Sequence, residues 1–174
     1  MRPVSNTAAR SAVLAASLLA ASCLAGLALA SALEARGIGG AEVVRAAYAP
    51  LCHQLPARSL HFAGQPLPVC ARCLGLYAGG FGGLFLAWLI PALGKRANGR
   101  WLVIALLPTI VDGLARVLGW PGAANLPRLV LALPAGMVAG LLLAEGVADL
   151  AAHGPAGAWR LLGSHRPGSV PGRG

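Results

Sequence analysis

The residues whose types and spacing could do chemistry are Cys52, His53, Cys70 and Cys73. Three of the four cysteines and two of the four histidines fall between residues 52 and 79. Cys70 and Cys73, at helical spacing, share one face where a polar loop enters an apolar run. A helix N-terminus there offers unpaired N–H groups and partial positive charge, and Arg72 adds a full charge. Both favour thiolate, the form that binds metals and attacks disulfides. Three thiolates and one imidazole complete a tetrahedral set for zinc or another divalent metal. His61 is a second candidate for the nitrogen ligand. The same cysteines also suit thiol–disulfide exchange, with Cys70 and Cys73 as the redox pair, Cys52 as a shuttle and quinone as electron acceptor. Cys23, alone in an apolar run, reads as inert.

The elements that position these residues are of membrane-spanning length. Of 174 residues, 57% are hydrophobic and only 11% charged, where globular proteins carry about a quarter charged. The net charge of +9 comes without a basic stripe interleaved with aromatics. It reads as topology information and attraction to a lipid bilayer, not nucleic-acid binding. The expected fold is all-α, a polytopic membrane protein with four transmembrane helices at 11–33, 71–93, 101–118 and 129–150. Each approaches the roughly 20 apolar residues a span requires. The first could instead be a signal peptide, since Ala28-Leu29-Ala30 resembles a cleavage site. A polar loop, 34–70, holds the Cys/His cluster, with a short amphipathic helix expected within 34–48 and irregular chain after Pro50. Residues 1–150 form one membrane domain, and 151–174 read as a disordered basic tail.

Positive charge sets the orientation. Arg2, Arg10, Lys95, Arg96, Arg100, Arg160, Arg166 and Arg173 fall on one side, against Arg36, Arg45, Arg58 and Arg128 on the other. The expected arrangement is N-in and C-in across the cell (inner) membrane, with the Cys/His loop outside. Gly75, Gly79 and Gly83 recur every four residues on the second helix, and Gly136 and Gly140 repeat the spacing on the fourth. Such faces let neighbouring backbones approach closely. Tyr77, Phe81 and Phe85 line another face of the second helix. Asp112 and Arg116, in acid-first i,i+4 order, are expected to pair inside the bundle. Counting from Trp101, Asp112 lies about 16 Å along its helix, near the bilayer midplane. Asn125 and Arg128 complete the polar residues of the apolar segments.

Cys52-His53-Gln54, Pro56, Arg58-Ser59, Gly64 and Cys70-x-Arg72-Cys73-x-Gly75-x-Tyr77-x-Gly79 together resemble the signature of an uncharacterised membrane-protein family, domain of unknown function 2085. Asp112-Gly113, Asn125 and Arg128 are similar to its later motifs. Leu74 departs from the threonine the pattern leads one to expect, and a Thr-Gly after Arg128 is missing. The resemblance supplies no activity. It favours His53 over His61 as the working histidine. Gln54, Arg58, Ser59 and Arg72 are expected as supporting residues, with Arg58 and Arg72 balancing the negative charge of three thiolates. Three functions stay open: a metal protein, a membrane oxidoreductase, and a non-catalytic scaffold or transporter subunit centred on Asp112 and Arg116.

Overall fold

The computed structural model describes the backbone of residues 6–120 and 122–163. Helix α1 (Asn6–Ala35) is followed by a short α2 (Ala41–Tyr48) and a 3-10 turn (Pro56–Arg58). A hairpin of β1 (Ser59–Phe62) and β2 (Gln65–Cys70) runs directly into α3 (Ala71–Leu89). Then come α4 (Pro91–Arg96), α5 (Gly99–Val117) and α6 (Asn125–Gly163). Among the described residues, three stretches are long and apolar enough to cross a membrane: Thr7–Ala35, Ala71–Leu89 and Asn125–Ala152. The expected third span, α5, is 19 residues long but holds Arg100, Asp112 and Arg116, and charge at that density departs from a purely apolar span.

Several boundaries differ from the sequence expectation for identifiable reasons. The second span ends at Leu89, not residue 93, because Pro91 cannot continue a helix and pushes Ile90 to φ −129°, ψ 82°. Pro91 then opens α4 at its first turn, where no donor is needed. The start of α5 is fixed by Asn98, whose side chain accepts from the N–H groups of Arg100 (3.1 Å) and Trp101 (3.3 Å). Helix α6 runs past residue 150 to Gly163, with a break at Gly154 (φ 67°), and stays helical through Pro134. Part of the expected tail is therefore helical, and residues 164–174 lie outside the described residues.

The polar loop is not irregular, so the chain is not purely helical. Strands β1 and β2 pair antiparallel, with Ser59 opposite Cys70 and Phe62 opposite Gln65. Ala63 and Gly64, both at positive φ, make the tight two-residue connection such a hairpin favours. Pro66 and Pro68 read as breakers, yet a two-stranded ribbon has free edges that require no donor. Leu67, Pro68 and Val69 are buried. The ribbon is tied to α1 by Ser31, whose hydroxyl donates to the Pro66 carbonyl (3.4 Å).

The core of the bundle is the α3–α6 contact. A Cβ on Gly75, Gly79 or Gly83 would collide with the carbonyls of Leu129, Leu133 or Met137, and one on Gly136 or Gly140 with those of Leu76 or Gly80. The two glycine faces thus meet backbone to backbone, as their spacing leads one to expect. The aromatic face of α3 lies elsewhere, with Phe81 and Phe85 stacked at 5.9 Å and Tyr77 against Tyr48 at 5.7 Å.

A candidate sulfur centre and an arginine-lined cavity

The first turn of α3 holds Cys73, its N-cap position holds Cys70, and the chain leaving α2 holds Cys52. The three Sγ atoms lie within 4.8 Å of one another. All three cysteines are free thiols, and Cys52 is buried. A tetrahedral zinc with Zn–S of about 2.3 Å places its sulfurs about 3.8 Å apart, so the cluster needs only small side-chain shifts to fit one ion. Around it pack Leu27 and Val69, with Leu24, Val44, Tyr48, Leu74 and Tyr77. Cys52 Sγ accepts the backbone N–H groups of Gln54 (3.5 Å) and Cys70 (3.1 Å). The Cys70 thiol is pulled down to about 5, chiefly by hydrogen bonding from the Cys73 thiol, with further bonds from the Cys73 backbone, Cys52 and the Arg72 backbone outweighing burial.

The loop that delivers Cys52 is held by Gln54. Its φ is 50°, rare for a side chain of this size, and its amide donates to the Arg45 carbonyl at 2.6 Å. The left-handed turn swings the backbone N–H of Gln54 onto the sulfur two residues earlier. Ser59, fully buried, donates to the Leu55 carbonyl (3.1 Å) and closes the 3-10 turn. Asn125, at the start of α6, donates to the carbonyls of Ala57 (3.2 Å) and Ser59 (3.1 Å). Asn125 is thus a clamp between α6 and the loop.

The structure does not bring every expected residue into the cluster. His53 lies outside the three-sulfur group and is exposed, on the wall of an adjoining cavity of about 220 Å³. His61 is exposed on β1, also outside the group. Cys23 is exposed on the surface of α1, apart from the other thiols. Leu55 and Cys70 complete the His53 side of the cavity, and Arg58, Arg72, Arg116 and Arg128 form the rest.

The expected Asp112–Arg116 pair does not form. Asp112 is 8% exposed. It accepts from Arg72 and from the Ala123 backbone N–H (2.8 Å), and Arg128 Nε lies 3.4 Å away. Two arginines from the first turns of α3 and α6 outcompete the local partner, since they can reach a buried carboxylate that Arg116, exposed on α5, leaves. Asp112 therefore stands level with those first turns, not near mid-span. Sequence reasoning missed this triad because its members are far apart along the chain, 40 residues for Arg72 and Asp112. A signal was available. Of the five acidic residues, Asp112 is the one placed to neutralise arginines at the head of α3 and α6.

A family described as a predicted membrane protein, DUF2085, matches residues 52–142. An uncharacterized protein of Methanothermobacter thermautotrophicus is 36% identical over 87 residues, covering 50% of this chain and 78% of its own. Uncharacterized protein MJ1492 of Methanocaldococcus jannaschii is 38% identical over 93 residues, covering 52% of this chain and 60% of its own. No solved structure matches the chain.

Proposed function

The chain belongs to DUF2085, a family of predicted membrane proteins, and from that premise we propose a four-span bundle bearing a zinc-type centre on its outer face. Cys52, Cys70 and Cys73 hold the ion, and the observation that carries this reading is the convergence of their three sulfurs within 4.8 Å. Three sulfurs this close together suit one tetrahedral ion, whereas a disulfide engages two and leaves the third over. His53 or solvent takes the fourth position. Support for α5 as the fourth span comes from its surface, where Val103, Ile104, Leu107, Ile110, Val111 and Leu114 are all exposed. Such a face suits lipid. The charge distribution favours N-in and C-in, with the sulfur centre outside.

Metal analysis and thiol counting on full-length protein purified in detergent test the centre. Stoichiometric metal is expected, lost in Cys52→Ser, Cys70→Ser or Cys73→Ser and retained in Cys23→Ser. His53→Ala separates two forms of the site. Loss of metal makes His53 the fourth ligand and the site a closed, structural one. Retention leaves a position for solvent, the form a catalytic zinc takes. A second reading, thiol–disulfide exchange, is favoured by one observation, the closeness of the Cys70 and Cys73 sulfurs at the head of α3. It requires no metal, and a Cys70–Cys73 bond that reductant opens.

A further inference from the structure

The cavity beside the sulfurs has too much positive charge for its own partners. We infer that it is a binding site for a phosphoryl oxyanion. Four guanidinium groups, on Arg58, Arg72, Arg116 and Arg128, line it with His53. Asp112 meets two of them, Arg72 and Arg128. Its oxygens are already engaged by Arg72, Arg128 and the Ala123 N–H.

Arg128 is the deciding residue. It is 4% exposed, yet its Nη2 has no hydrogen-bond partner among the described residues, and the Nε of both Arg128 and Arg72 lack one too. Nη1 reaches the Asn125 side chain at 3.4 Å. A buried donor left unmade costs the full desolvation of that group. An acceptor seated in the cavity satisfies it. Arg58 and Arg116 stand exposed at the rim, and their side chains make no hydrogen bond or ion pair among the described residues. One buried guanidinium (Arg128), one partly exposed (Arg72) and two at the rim form around one hollow a set of forked donors matched to phosphate oxygens. The volume of about 220 Å³ exceeds several waters at about 30 Å³ each, enough for a tetrahedral anion with some solvent. Gly122 preserves the opening, since a Cβ there would strike Arg116. The inference stands without a metal. Three thiolates around a divalent ion carry about one negative charge, and the arginines still exceed it.

A phosphate group reaches this face from two sources, a phospholipid headgroup or free phosphate. The test uses full-length protein in maltoside micelles, which contain no phosphorus. One arm titrates inorganic phosphate against chloride at matched ionic strength and follows the thermal midpoint. The other adds phosphatidylglycerol or diacylglycerol and follows retained lipid by native mass spectrometry. The expected result is selective binding of phosphate or of phosphatidylglycerol, weakened about tenfold or more by Arg58→Gln and by Arg116→Gln. These rim variants leave the Asp112, Arg72 and Arg128 triad intact, so they fold even where Arg128→Gln does not. Arg36→Gln, which removes an equal charge elsewhere, leaves binding unchanged. Phosphate binding in micelles assigns a soluble ligand, and phosphatidylglycerol binding alone assigns a headgroup. No selectivity in either arm overturns the inference. So does equal binding in both rim variants, or equal weakening by Arg36→Gln.

Discussion

Asp112 shows what one buried carboxylate does when two arginines reach it from different helices. Breaking a buried pair by removing one partner costs about 3–5 kcal/mol, because the remaining charge is left uncompensated. Asp112→Asn is therefore expected to lower stability by that order, read as detergent-solubilised thermal or denaturant unfolding. Adding Arg72→Gln should recover part of the loss, since it removes one stranded cation. Adding Arg116→Gln should recover none, because Arg116 does not touch Asp112; recovery through Arg116 alone would restore the i,i+4 pairing. Asn125 offers a milder case. Its amide spans the Ala57 and Ser59 carbonyls, so Asn125→Ala should cost about 1–3 kcal/mol. It should also loosen the loop that carries Cys52, seen as faster hydrogen exchange over residues 52–59.

The helices α3 and α6 meet where neither has side chains to spare. Inserting even a methyl group pushes backbone from backbone, and overpacking costs about 1–3 kcal/mol even where side chains can adjust. Gly79→Ala and Gly136→Ala should each destabilise by at least that amount. Gly26→Ala and Gly146→Ala meet nothing within 4 Å and should stabilise by up to about 1 kcal/mol, as alanine does in a helix interior. Equal effects in both groups would mean that α3 and α6 are not in contact. The contact also matters for the sulfur centre, because α3 presents Cys73 and α6 presents Arg128 and Asn125 at one end of the bundle.

For the whole molecule, the same end collects the sulfurs, the arginine cavity and the hairpin. The opposite end brings Arg10, Lys95, Glu145 and Asp149 around another cavity. Up-and-down passage of α1, α3, α5 and α6 follows if both ends face water. Reporters active only in the cytoplasm, fused at Gly64, Asn98, Gly119 and Gly174, check this. Activity is expected at Asn98 and Gly174 and silence at Gly64 and Gly119. The same signal at Asn98 and Gly119 would remove α5 as a span.

The sequence by itself determined the membrane class, the two glycine faces and the stretch in which the cysteines cluster, because each is written in local composition or helical period. Apolar length decides spanning, four-residue repeats decide which face packs, and neighbouring cysteines reveal shared chemistry. Tertiary structure decided which cysteines converge, that His53 turns to the cavity, and that Asp112 prefers Arg72 and Arg128 to Arg116. It also decided that Pro66 and Pro68 lie in a strand. None of these is a property of spacing. A carboxylate in a bundle takes whichever cations the helix packing brings to it, and that packing is set by the glycine–carbonyl contacts along α3 and α6.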